Sequence, residues 1–179
     1  MNLPNKLTMF RIILIPFFLV FLLTTFAGEA SRWIALGIFA VASLTDMLDG
    51  KIARKYNLIT DFGKFMDPIA DKLLVSSAFI AFVQLGRLPA WIVVIFIARE
   101  FIISGFRLVA SDNGVVLAAS MWGKFKTAFQ MIMCCLLIVD FDIAWVNIVE
   151  LVLIYASLAL SIISLIDYLV KNRKVIKNC

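Results

Sequence analysis

The sequence predicts an all-α integral membrane protein, a bundle of six transmembrane helices with both termini in the cytoplasm. Three observations predict it. Of 179 residues, 63% are hydrophobic, and the mean hydropathy is +1.02, far above what a soluble domain needs for its core. The apolar residues gather into six runs, each near the ~20 residues that cross a hydrocarbon layer of about 30 Å. Lysine and arginine are crowded onto one side of those runs. The length suits a single membrane domain over residues 1–179, with no internal repeat and no low-complexity linker.

The spans fall at roughly 8–27, 32–55, 65–86, 89–111, 120–140 and 143–170. The first follows a short basic stretch with Lys6 and Arg11. It lacks the small-x-small cleavage site of a signal peptide and reads as a retained span. The second opens at Trp33 and ends in a charged segment. A polar connection around 56–64, interrupted by Gly63, leads to the third. A start near Phe65 puts Pro68 in the first helical turn, where proline is tolerated. The fourth carries Arg99 and Arg107 and the fifth follows a short loop. The sixth ends with Asp167 and Lys171 at the i,i+4 spacing of a surface ion pair.

Charge sets the orientation. With six spans both termini share a side. That side holds Lys6, Arg11, Lys51, Arg54, Lys55, Lys64, Lys72, Arg107, Lys124, Lys126 and the tail from Lys171 to Lys177. The opposite side holds only Arg32 and Arg87. The positive-inside rule puts the basic side in the cytoplasm. Trp33, Trp91 and Trp145 then mark the outer interface. The net charge of +5 reflects this asymmetry and attraction to anionic headgroups. No nucleic-acid-binding motif is present.

Four aspartates carry the chemistry. Asp46, Asp49, Asp67 and Asp71 lie within 26 residues, two per apolar run. A carboxylate in lipid is costly and points to function. On a helix Asp46, Asp49, Gly50 and Ala53 share one face, and so do Gly63, Asp67 and Asp71. Both sets fall near the cytoplasmic ends of consecutive antiparallel spans, so they are expected to face each other. Four carboxylates cannot stay ionised together without cations, and two divalent ions would balance them. The chain has no histidine. Cys134, Cys135 and Cys179 form no Cys-x-x-Cys and read as inert. Oxygen ligands alone favour magnesium, manganese or calcium. Gly50 and Ala53 clear space for an anionic group to approach the backbone, although small residues also serve helix packing. Arg54 is a snorkelling anchor or a phosphate ligand, and the company it keeps favours phosphate.

The string Asp46-x-x-Asp49-Gly50-x-x-Ala53-Arg54, eight residues, then Gly63-x-x-x-Asp67-x-x-x-Asp71 resembles the motif of the CDP-alcohol phosphotransferase family at all eight marked positions. Further strings are similar to the family's bacterial phosphatidylglycerophosphate synthases: Leu3 to Thr8 with Arg11, Arg99 to Arg107, and Gly123 to Thr127. The resemblance implies a six-helix, usually homodimeric membrane fold. It implies transfer of a phosphatidyl group from CDP-diacylglycerol to an alcohol with release of CMP. It further implies Mg2+ or Mn2+, two ions, held by Asp46, Asp49, Asp67 and Asp71. Asp71 would also be the general base, and Asp46, Gly50, Ala53, Arg54 and Gly63 would line the nucleotide and diphosphate site.

A second, basic set comprises Arg99, Arg107, Lys124 and Lys126. Arg99 and Arg107 are eight residues apart, within about 80° on one helical face. An arginine inside a span must be paired or line a polar cavity. Glu100 is expected to point elsewhere, since helix neighbours do not face each other. Lys124 and Lys126 read as snorkelling residues or as part of an anion site. The anion site suits a phosphorylated acceptor such as sn-glycerol 3-phosphate, with Thr8 and Arg11 either lining the same mouth or anchoring the first span. Rival expectations are another acceptor, such as phosphatidylglycerol giving cardiolipin, a structural scaffold, or a cation transporter. A transporter needs access from both faces, whereas these carboxylates lie toward one.

Overall fold

The computed structural model describes residues 3–55, 61–112 and 120–173, and within them the side chains at 3–4, 46–55, 61–65, 67–68, 71 and 111–112 lie outside the description. Among the described residues six helices run in order: α1 Leu3–Leu23, α2 Ala30–Lys55, α3 Asp61–Gln84, α4 Ala90–Asp112, α5 Met121–Val139 and α6 Ala144–Lys171. Among the described residues there is no strand. The all-α membrane fold expected from the sequence is the fold observed.

Among the described residues three helices are long and apolar enough to cross a membrane: α1 from Asn5 to Leu23, α5, and α6. The described parts of α2 and α3 include the apolar stretches Ala30–Thr45 and Lys72–Gln84. The other turns of these two helices hold the aspartate motif. The apolar run of α4 is interrupted by Arg99, Glu100 and Arg107.

The chain divides into two compact units. The first contains α1, α2, α3 and the short stretch Ile138–Asp140. Here α1 packs against both α2 and α3. Phe18 and Phe39 meet with ring centroids 5.6 Å apart, and Ala35, Ala42, Ala70 and Ala78 are fully buried. Small residues at these positions let the helix backbones approach closely. α3 ends in a Schellman cap: Gly86 N–H donates to Val83 at 3.0 Å and Arg87 N–H to Phe82 at 2.8 Å. The cap requires the left-handed backbone that Gly86 supplies at φ 70°. Pro89 sits just before α4, where its missing N–H costs nothing. Asp140 adopts φ 56° without being glycine. Its carboxylate takes Arg32 at 2.9 Å and also pairs with Arg87.

The second unit contains α4, α6 and nearly all of α5, and α4 packs on α6. The buried stripe of α6 reads Val146, Glu150, Ile154, Ser157, Ser161, Ser164 and Tyr168, at three- and four-residue steps. Its outer face carries Leu151, Val152, Tyr155, Ile162 and Ile166. Hydroxyls face in and hydrocarbon faces out, as lipid requires. Trp33, Trp91 and Trp145 are exposed. Asp167 and Lys171 form the expected pair at 2.8 Å.

Two boundaries differ from the sequence reading. α1 begins at Leu3 because Asn5, Thr8 and Arg11, at three-residue steps, are buried with Ile15, Phe18 and Leu22. Hydropathy does not count a polar face that packs inside. α3 begins at Asp61, so Pro68 lies two turns in and not in the first turn. The helix there forgoes the bond that a proline nitrogen cannot donate.

Candidate functional site

α2 and α3 follow each other in sequence and are in contact. The backbone carries Asp46, Asp49, Gly50, Ala53 and Arg54 in the last turns of α2. It carries Gly63, Asp67 and Asp71 in the first turns of α3. Asp46 and Asp49 are separated by about 4.5 Å along the helix axis and Asp67 and Asp71 by about 6 Å. The side chains of all eight residues lie outside the described residues. Among the described residues no group of three or more acidic, cysteine or histidine side chains could hold a metal.

Thr8 and Arg11 belong to this same unit. Both are 0% exposed, and Arg11 Nε donates to the carbonyl of Ala42 at 3.2 Å. Ala42 is one turn before Asp46. A fully buried guanidinium is not a snorkelling anchor. Arg11 is built into the helix packing that carries the motif.

The basic set occupies the second unit, and it is not uniform. Arg99 is 8% exposed and Lys126 is 3% exposed. Arg99 Nη2 donates to Ser164 Oγ at 2.7 Å, and its Nη1 donates to Glu100 Oε1 at 3.0 Å. Lys126 donates to the same Glu100 oxygen. A Cβ on Gly123 would meet Arg99 Nη2 at 3.3 Å, so the missing side chain at 123 leaves the guanidinium its place. Arg107 and Lys124 are exposed. Arg107 Nε donates to the Tyr168 hydroxyl at 3.4 Å, and its guanidinium lies 5.7 Å from the Tyr168 ring centre. Phe106 meets the same ring edge-on at 6.0 Å. The Arg107 Nη groups have no partner among the described residues.

The structure corrects one expectation. Glu100 does not point away from Arg99. Neighbouring Cα–Cβ bonds diverge on a helix, but both side chains are long, and Lys126 from α5 draws the carboxylate to the shared point. Glu100, Ser164 and Tyr168 are partners of the basic set that sequence reasoning missed. One signal was available: Ser157, Ser161, Ser164 and Tyr168 are polar or hydroxyl-bearing at heptad spacing in an apolar span.

With this geometry in hand, comparison with known proteins is decisive. The family model described as CDP-alcohol phosphatidyltransferase matches residues 1–163. This chain belongs to the CDP-alcohol phosphatidyltransferase family. The match covers the whole aspartate motif and the basic set. Among similar family members, a CDP-diacylglycerol–glycerol-3-phosphate 3-phosphatidyltransferase of Bacillus subtilis is 42% identical, over 98% of this chain and 97% of its own. A protein of the same name from Haemophilus influenzae is 39% identical, over 94% and 91%. A probable phosphatidylglycerophosphate synthase of Mycobacterium tuberculosis is 38% identical, over 95% and 81%.

Proposed function

We propose that this CDP-alcohol phosphatidyltransferase moves the phosphatidyl group of CDP-diacylglycerol to the 1-hydroxyl of sn-glycerol 3-phosphate. The products are phosphatidylglycerophosphate and CMP. The carrying observation is the near-full-length likeness, at 42% identity, to a relative named for that reaction. The complete motif on α2 and α3 and a separate basic set on α4 and α5 support it.

Four carboxylates without histidine form a donor set that fits hard divalent cations such as Mg2+ or Mn2+. Asp46, Asp49 and Asp67 would hold two ions, with Asp71 shared. When bound, the ions supply charge stabilisation to the diphosphate and its leaving group. Arg54 adds a fixed positive charge to the diphosphate, and Gly50, Ala53 and Gly63 leave it room. Asp71 accepts the proton of the acceptor hydroxyl. That oxygen bonds to the β-phosphorus, the bond to the bridging oxygen breaks, and CMP departs with the electron pair. No histidine or motif cysteine offers a covalent nucleophile, which favours direct displacement. Arg107 and Lys124, exposed and basic, are suited to the acceptor phosphate, with Arg99 and Lys126 behind them.

The enzyme works as a single domain and a homodimer in the cytoplasmic membrane, with termini and active site facing the cytoplasm. The lysine and arginine asymmetry supports that orientation. The test is CMP release by the purified protein from CDP-diacylglycerol across a panel of acceptors. Release with glycerol 3-phosphate is expected. Release only with phosphatidylglycerol would make it a cardiolipin-forming member instead.

A further inference from the structure

The basic set of α4 and α5 contains an anion of its own. Glu100 bonds Arg99 and Lys126 through a single oxygen, Oε1. Its Oε2 accepts nothing among the described residues, and the side chain is 20% exposed. Two buried cations require a counter-charge, and Glu100 supplies it while leaving one carboxylate oxygen with free lone pairs. A cluster of cations alone would attract any small anion. A carboxylate in that cluster opposes every anion, but it accepts a hydrogen bond from a ligand that brings a hydroxyl with its phosphate.

We propose that Glu100 is a specificity-determining residue that favours hydroxyl-bearing phosphate esters over bare phosphate in the acceptor site, Oε2 receiving an acceptor hydroxyl beside the phosphate. This rests on the acceptor-site reading above. The carboxylate has two separable effects. Its charge lowers affinity for phosphate in any form. Its free oxygen restores affinity only for a ligand with an O–H to donate.

The test measures the glycerol 3-phosphate KM and the inhibition constant of inorganic phosphate in full-length enzyme. Glu100→Gln removes the charge. The phosphate inhibition constant should fall on the order of tenfold, while the glycerol 3-phosphate KM falls far less or rises. Glu100→Asp keeps the charge but withdraws the oxygen by one methylene. Phosphate inhibition should stay near the wild-type value while the glycerol 3-phosphate KM rises severalfold. This second variant retains a counter-ion for Arg99 and Lys126, so it reports even where the glutamine variant does not fold. If KM and inhibition constant move in parallel in both variants, or neither moves, Glu100 is a structural counter-ion only and the proposal is overturned. Arg107→Ala separates the underlying reading. If it raises both constants while the Glu100 variants leave their ratio unchanged, the acceptor site stands and the Glu100 proposal alone fails. If it changes neither constant, the acceptor-site reading fails and the proposal falls with it.

Discussion

Arg99 and Ser164, 65 residues apart in sequence, meet through a 2.7 Å hydrogen bond from Nη2 to Oγ that joins α4 to α6. Ser164 is 1% exposed. A buried hydrogen bond to a charged group contributes roughly 1.5–3 kcal/mol. Ser164→Ala is therefore expected to lower thermal stability in detergent and to raise the glycerol 3-phosphate KM severalfold. Ser164→Thr keeps the hydroxyl and should recover much of both. An alanine variant with wild-type stability and KM would show the bond to be dispensable.

Removing divalent ions should abolish turnover. Excess EDTA is expected to stop CMP release, and Mg2+ or Mn2+ to restore it. Full release in EDTA would exclude the role given to the four aspartates.

Asp71→Asn keeps the side-chain shape but cannot accept a proton. It should reduce turnover by several orders of magnitude while weakening CDP-diacylglycerol binding much less. Because Asp71 is also a proposed ion ligand, donor binding is measured alongside turnover at saturating metal. Near-normal turnover there would remove Asp71 as the base.

Arg107→Ala and Lys124→Ala should each raise the glycerol 3-phosphate KM about tenfold to a hundredfold, the equivalent of a lost charge-assisted contact. The CDP-diacylglycerol KM should hardly change. Lys126→Met is different in kind. It takes one cation from Glu100 inside the protein, so lost stability should accompany any change in KM. A rise in the donor KM in the Arg107 or Lys124 variant would assign these residues to the diphosphate.

Asp140 separates ion pairing from backbone conformation. Asparagine tolerates the left-handed backbone that Asp140 adopts, whereas alanine pays about 1–2 kcal/mol for it. The partly exposed pairs with Arg32 and Arg87 are each worth roughly 0–1 kcal/mol. Asp140→Asn should therefore lower the unfolding midpoint slightly and Asp140→Ala distinctly more. Equal midpoints for the two would mean that the backbone strain is absent.

Much of the fold was legible because lipid imposes a simple rule on composition. α4, expected at 89–111, occupies Ala90–Asp112. The rule fails where polar residues pack inward, which is why α1 starts at Leu3 and not near residue 8. The aspartate motif is local and could be read directly. The partners of the basic set could not. Ser164 and Tyr168 reach Arg99 and Arg107 from 65 and 61 positions away, and Glu100 reaches Arg99 and Lys126 by side-chain length, which helical angles do not report. The burial of Arg11 was equally hidden, since one of its partners is the backbone carbonyl of Ala42.

The inverted cross-section of α6 decides what can take this protein apart. A soluble bundle is held by water's rejection of its core, and urea undoes it by making that rejection weaker. Apolar side chains that move from acyl chains to protein gain nothing of the kind. Close packing and a few bonds such as that of Ser164 must hold α4 to α6, and the surrounding amphiphile sets their strength. Short-chain or charged surfactants that wedge between helices are the relevant denaturants. The durability of this enzyme is thus a property of the pair it makes with its solvent, and a midpoint measured in one micelle does not transfer to another.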